Sequence, residues 1–256
     1  MSDLTNKTVV ITGASRGIGA AAARHLASLG ASVVLAARST GDIERIAKEI
    51  EAAGGTATAM ACDVARNEDV KALVARTVEL YGGLDVLVNN AGLIDPIARL
   101  ADSDPDAWSQ VVDVNVKGVY YGLRHAIPEM TARGGGTIIN ISSGAATGAV
   151  EGWSHYCATK AAVLSLTRCT DKEYRGEGIR MIGLSPGTVK TDMQVSIKAS
   201  GLNPVSQLDP SVHIPPEWVA QAIAYLCGPG GDAYLGTDFS LKTNEGRAAV
   251  GLPAVS

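Results

Sequence analysis

Thr8-Val9-Val10-Ile11-Thr12-Gly13-Ala14-Ser15-Arg16-Gly17-Ile18-Gly19 decides the fold class. Thr8–Ile11 is a short apolar run that leads into a glycine turn, as expected of a strand covered on both faces. From Gly17 to Leu29 the period becomes helical, with Ile18, Ala22, Leu26 and Leu29 on one face and Gly30 as the stop. Glycines in the connecting loop let the backbone turn tightly and approach a ligand. The helix that follows aims its free N–H groups and positive dipole end at the loop, a combination suited to a pyrophosphate. The spacing is G-x3-G-x-G rather than G-x-G-x-x-G, so the glycines alone are a common accident. Their place after the first strand of an alternating chain is what gives them weight.

The alternation continues to the end of the chain. Strands are expected at Ser32–Ala36, Thr56–Ala61, Val86–Val88, Thr137–Ile141, Ile179–Leu184 and near Tyr234–Leu241. Helices are expected at Asp42–Ala53, Asn67–Tyr81, from about Asp106 to Met130, Ser154–Arg175 and Glu217–Cys227. Strands that alternate with helices require crossovers and hence a parallel sheet. The expected fold is α/β, a single doubly wound Rossmann-type domain with a seven-stranded, mainly parallel sheet and helices on both faces. Such a sheet binds ligands beyond the carboxyl ends of its strands, where the strand order reverses. Thr191–Pro216, with Pro204, Pro210, Pro215 and Pro216, fits no regular element and is expected to be a substrate-binding lid.

Composition narrows the partners. Hydrophobic residues at 46% and charged residues at 19% suit an ordinary globular core. A formal net charge of −4 with no basic stripe argues against nucleic acid. Cys62, Cys157, Cys169 and Cys227 have no CxxC spacing, so neither a disulfide framework nor a zinc site is indicated. His25, His125 and His213 are isolated, and no metal is expected. The polar start carries no signal-peptide pattern and no run is long and apolar enough for a membrane span, so a cytoplasmic protein is expected.

Tyr156 and Lys160 stand four apart in a helical segment and share a face. A phenol is poorly matched to proton transfer at neutral pH, and a neighbouring ammonium is expected to lower its pKa. The pair gains meaning from its company. Asn89-Asn90-Ala91-Gly92, Ser142-Ser143 and Pro186-Gly187 each end a strand on the same side of a parallel sheet, and Asn115 lies in the long helical region. His155 is expected to be structural or at the pocket rim. Trp153 and Trp218 flank the expected substrate region.

With these motifs in this order, the chain resembles the short-chain dehydrogenase/reductase family nearly end to end. Within it, the stretch from Pro186 to Gln194 and that from Pro96 to Trp108 resemble sepiapterin reductase and the benzil-type carbonyl reductases. The resemblance implies a tetrad: Tyr156 exchanges the substrate proton, Ser143 orients the carbonyl, Lys160 holds the nicotinamide ribose and lowers the phenol pKa, and Asn115 holds a relay water. It also implies cofactor contacts from Gly13, Ser15, Arg16, Gly17, Ile18, Gly19, Arg38, Ser39, Asp63, Val64, Asn90, Ala91, Gly92, Tyr156, Lys160, Pro186, Gly187, Val189, Thr191 and Met193. It implies pairing into a homodimer or homotetramer through the long helices that carry Asn115 and Tyr156. One departure stands out. Where many members have Asp-Gly-Gly after the last strand, this chain has Leu241-Lys242-Thr243-Asn244.

The cofactor is expected to be NADP. The second strand ends at Ala36-Ala37, and the next residue is Arg38, with no acid before Asp42. A carboxylate near this point holds the ribose of NAD, whereas Arg38, Ser39 and Arg16 suit the extra phosphate of NADP. The expected activity is NADPH-dependent reduction of a ketone, aldehyde or α-diketone, or the reverse oxidation of an alcohol. A non-catalytic NADP sensor would have no use for Ser143, Tyr156 and Lys160 together with Asn115.

Overall fold

A computed structural model describes residues 3–255. Seven strands form one sheet: β1 (Thr8–Thr12), β2 (Ser32–Ala37), β3 (Thr56–Ala61), β4 (Val86–Asn89), β5 (Gly136–Ile141), β6 (Ile179–Ser185) and β7 (Asp238–Ser240). Their order is β3-β2-β1-β4-β5-β6-β7, so the order reverses between β1 and β4. All the pairings are parallel, whereas a mainly parallel sheet was expected.

Side chains alternate across the sheet and feed two cores. Val9 and Ile11 of β1 join a cluster beneath α1 (Gly17–Ser28), α2 (Thr40–Ala52) and α8 (Pro216–Cys227), which includes Leu26, Ile43 and Ile223. Val10 joins the opposite cluster beneath α3 (Asn67–Tyr81), α5 (Gly118–Thr131) and α6 (Ser154–Tyr174), which includes Leu73, Leu123 and Val163. Burial on both faces explains the unbroken apolar runs of the strands. No helix among the described residues is long and apolar enough to cross a membrane.

The structure departs from expectation in three places. The long helix from Asp106 is two α-helices, α4 (Pro105–Val112) and α5, joined by a five-residue π-turn at Asp113–Lys117. Asp104 caps its start by accepting from Ala107 N–H at 2.7 Å. Thr191–Pro216 is not irregular. It contains α7 (Asp192–Ser200) and 3-10 turns at Pro204–Gln207 and Pro210–Val212. An Asn203/Ser206 capping box and a bridge from Val189 to Ile214 organise it. The last strand is only Asp238–Ser240, because Pro229–Tyr234 is a 3-10 helix; α9 (Asn244–Ala249) follows it.

Candidate active site

The glycine loop is shaped by contacts that leave no room for side chains. Gly13 has a φ of +64°, and a Cβ there would come 2.8 Å from Ala91 Cα. At Gly19 a Cβ would strike the Gly13 carbonyl oxygen. β4 is stitched to the loop from the other side of the strand-order switch. Asn90 Nδ2 donates to the carbonyls of Thr12 and Gly13 at 2.9 and 3.1 Å. The N–H groups of Asn90 and Ala91 both donate to Thr12 Oγ1, at 3.0 and 3.1 Å. The amide of Asn90 is thus spent on holding the loop. No side chain caps the start of α1, so its first N–H groups stay directed at the loop.

A cleft of about 1250 Å³ runs along the carboxyl ends of the strands. Its walls include Gly13, Ser15, Arg16, Gly17, Ile18, Arg38, Ser39, Asp63, Val64, Asn90, Ala91 and Gly92 at one end. Ser143, Tyr156, Lys160, Pro186, Gly187, Val189, Thr191 and Met193 also line it. Two expected site residues do not reach its surface. Gly19 packs beneath the loop, and Asn115 is buried at 1% exposure. Arg38 and Ser39 are exposed at the start of α2, where the Ser39 side chain makes no cap. Arg16 is exposed too, and its Nε lies 3.4 Å from Asp192 Oδ2, an acidic neighbour brought in from the distant α7.

Around Tyr156 the site becomes apolar. Tyr156 is buried with Ile94, Ala145, Trp153 and Ile197. The Trp153 ring meets it edge-on with centroids 5.6 Å apart. Lys160 Nζ is also 5.6 Å from the Tyr156 ring centroid and donates to the Ile141 carbonyl at 2.7 Å. Burial pushes the Tyr156 phenol up to about 12, with a hydrogen bond to Ser143 acting against it. Burial also brings the Lys160 ammonium down to about 8, opposed by the Asp238 carboxylate. The expected lowering of the phenol pKa by Lys160 is not met in the protein alone, where burial raises it and only the Ser143 hydrogen bond acts to lower it.

Asn115 sits in the π-turn and is held from both sides. Its Oδ1 accepts from Leu93 N–H at 2.8 Å, while Nδ2 donates to Leu93 O at 2.9 Å and to Thr159 Oγ1 at 3.1 Å. The side chain fastens the chain after β4 to α5 and α6 and is committed to protein partners. A Cβ on Gly92 would lie 3.5 Å from Asn115 Oδ1 and 3.9 Å from Lys160 Nζ, which puts the three residues in one locus.

His155 is fully buried, its Nε2 2.5 Å from the Ile94 carbonyl, and it stays outside the cleft as a structural residue. Trp153 lines the cleft, whereas Trp218 packs under the Arg247 guanidinium. Ile94 and Val150 line the cleft without having been singled out in the sequence, and Ile197, Val205 and Lys242 line it too, within stretches noted there only as a lid and as a departure from the family pattern. Isolated aliphatic residues in connections carry no local signature of a pocket.

Known proteins share this arrangement. The family described as short chain dehydrogenase matches residues 7–201. A cyclohexanol dehydrogenase from Acinetobacter sp. (strain SE19) is 33% identical, over 91% of this chain and 92% of its own. A cis-4-hydroxycyclohexanecarboxylate dehydrogenase from Sinomonas cyclohexanicum is 36% identical over 95% and 97%. The crystal structure of a short-chain type dehydrogenase/reductase from Mycobacterium marinum superposes with a TM-score of 0.85 at 31% identity, covering 93% of this chain and 94% of that one. With its strand order and with Ser143, Tyr156 and Lys160 at the strand-end cleft, this chain belongs to the short-chain dehydrogenase/reductase family, whose members are oxidoreductases that use a nicotinamide cofactor.

Proposed function

We propose that the protein is an NADPH-dependent carbonyl reductase, acting reversibly as an alcohol dehydrogenase, with Tyr156 as general acid and base. One observation carries this: a single cleft is lined by Ser143, Tyr156 and Lys160 and also by Arg16, Arg38 and the glycine loop. The two relatives named for cyclohexanol and cis-4-hydroxycyclohexanecarboxylate favour a ring-bearing secondary alcohol or the matching ketone.

The cleft suits a dinucleotide. The cramped glycine loop and the uncapped start of α1 fit a pyrophosphate. Arg38, Ser39 and the uncapped start of α2 fit a 2′-phosphate, with Arg16 adding charge. Asp63 and Val64 would border the adenine, and Pro186, Gly187, Val189, Thr191 and Met193 the nicotinamide, of a bound cofactor. When bound, the nicotinamide supplies a hydride for reduction and accepts one in oxidation.

The protein's own groups manage the proton. In reduction the Tyr156 phenol donates its proton to the carbonyl oxygen, and Ser143 Oγ donates a hydrogen bond to the same oxygen. With its pKa raised by burial the phenol is protonated at neutral pH, the form that reduction requires. Lys160 would hold the ribose hydroxyls of a bound cofactor and stabilises the phenolate left behind. Both Asn115 side-chain N–H groups are already given to Leu93 O and Thr159 Oγ1, so a relay water would need other partners.

The test is steady-state reduction of cyclohexanone, acetophenone, benzil and benzaldehyde with each cofactor. NADPH is expected to exceed NADH in kcat/KM by at least ~10-fold, since about 1.4 kcal/mol gives that ratio and charge-assisted hydrogen bonds supply roughly 1.5–3 kcal/mol each. Arg38→Asp should narrow or reverse the preference. Equal or better activity with NADH in the unmodified protein contradicts the NADP assignment.

A further inference from the structure

The wall around Tyr156 is apolar, yet one cation reaches its edge. Lys242 lies just past β7, and its stem is seated on the end of β6: a Cβ on Gly187 would come 3.0 Å from Lys242 Cγ. Its ammonium then reaches the residue that follows Ser143, because a Cβ on Gly144 would lie 3.4 Å from Lys242 Nζ. Gly144 directly follows Ser143, so the ammonium stands at the Ser143 end of the cleft. Lys242 lines the same cleft as Ser143 and Tyr156.

The backbone that aims this side chain is fixed at several points. Leu241 is buried, and its N–H donates to the Ser185 carbonyl at 3.1 Å. Lys242 N–H donates to Ser240 Oγ at 3.2 Å, and Thr243 Oγ1 donates to the Ser240 carbonyl at 3.2 Å. Thr243 also caps α9 by accepting from Gly246 N–H at 3.1 Å. Two other cations of the cleft, Lys160 and Arg247, are already engaged. Lys160 Nζ donates to Ile141 O at 2.7 Å, and Arg247 Nε donates to Leu241 O at 2.9 Å while its guanidinium lies 5.4 Å from the Trp218 ring centroid. Among the described residues the Lys242 ammonium makes no ion pair and no hydrogen bond. A lysine with a seated stem and an unengaged head at the edge of an apolar pocket is an anion contact in search of its anion.

We propose that Lys242 is a specificity-determining residue, and that the substrate is a compact ring alcohol or ketone bearing a carboxylate that Lys242 receives. The apolar wall takes the ring, and the ammonium takes the charge. This rests on the oxidoreductase function proposed above, but the anion contact can be measured without turnover.

The experiment titrates cyclohexanecarboxylate and cyclohexanol calorimetrically into the protein saturated with NADP, for the unmodified chain, Lys242→Met and Lys242→Arg. Oxidation rates of 4-hydroxycyclohexanecarboxylate and cyclohexanol are measured alongside. The unmodified protein is expected to bind the carboxylate at least about tenfold more tightly than the neutral alcohol, or ~1.4 kcal/mol. Lys242→Met should collapse that ratio in binding and in kcat/KM, and Lys242→Arg should restore much of it. Lys242 is exposed, so neither change threatens the fold. A carboxylate that binds no better than the alcohol, or a preference that survives Lys242→Met, overturns the proposal. Lys242-dependent carboxylate binding without oxidation of either alcohol would instead leave the anion site standing and remove the ring-alcohol activity proposed above.

Discussion

Lys160 shows how much a single residue's chemistry depends on burial. Its pairing with Tyr156 is legible from spacing alone, but spacing says nothing of solvent. Both groups are buried, and burial decides their protonation more strongly than their mutual contact does. The consequence can be checked. The Lys160 ammonium falls from its ordinary 10.5 to about 8 in the fold. Between those values the unfolded chain keeps a proton that the folded chain has lost, so this residue's contribution to stability rises with pH through that window. Below about 8 both states carry the proton, and the folded protein bears the cost of a buried cation. Urea unfolding of the unmodified protein and of Lys160→Met, compared at pH 7.5 and pH 10, should show the difference moving in favour of the unmodified protein. Complete titration corresponds to roughly 3 kcal/mol. A difference that stays constant or moves the other way would mean that Lys160 is better solvated than its surroundings indicate.

At the scale of elements, strands and amphipathic helices were legible because burial leaves a period in the sequence. β3 at Thr56–Ala61 and α3 at Asn67–Tyr81 fall where the pattern places them. The π-turn at Asp113–Lys117 was not legible, since its cause is tertiary: Asn115 bonds to Leu93 across the chain rather than within its own helix. α7 was hidden because Asp192–Ser200 has little apolar periodicity and lies beside a proline-rich run. Lys242 was visible only as a departure from a family pattern, and its direction needed the neighbouring glycines. The connection from Thr191 to Pro216 is closed at its two ends by the bridge from Val189 to Ile214 and tied at its middle by Asn203 Nδ2, which donates to Glu151 O at 3.0 Å. Between these ties Val195 and Val212 are 69% and 47% exposed. Apolar side chains left open beside a cleft suit a lid that buries them on ligand binding. Hydrogen exchange across residues 192–212 should therefore slow when NADP and a ring alcohol are both present. Unchanged protection would count against a lid.

At the scale of the molecule, the parallel sheet brings residues far apart in the chain to one edge. Thr12, Asn90, Ser143, Gly187 and Lys242 each follow or end a different strand, which explains how one cleft can combine an anion cradle, a proton donor and a charge-reading lysine. The opposite side of the layer presents α5, where Tyr120 is 48% exposed beside Tyr121, Arg124 and His125. Such a face suits pairing of two copies about a two-fold axis. Multi-angle light scattering at micromolar concentration should give a dimer or tetramer, and a monomeric mass would refute that expectation. The central claim is that proton transfer to the substrate oxygen runs through Tyr156. It is tested most directly by NADPH oxidation with a reducible ketone in the unmodified protein and in Tyr156→Phe, with NADPH affinity measured by fluorescence for both. The account predicts a loss of turnover of at least roughly 10²–10⁴-fold with cofactor affinity little changed; turnover in Tyr156→Phe close to that of the unmodified protein would contradict it.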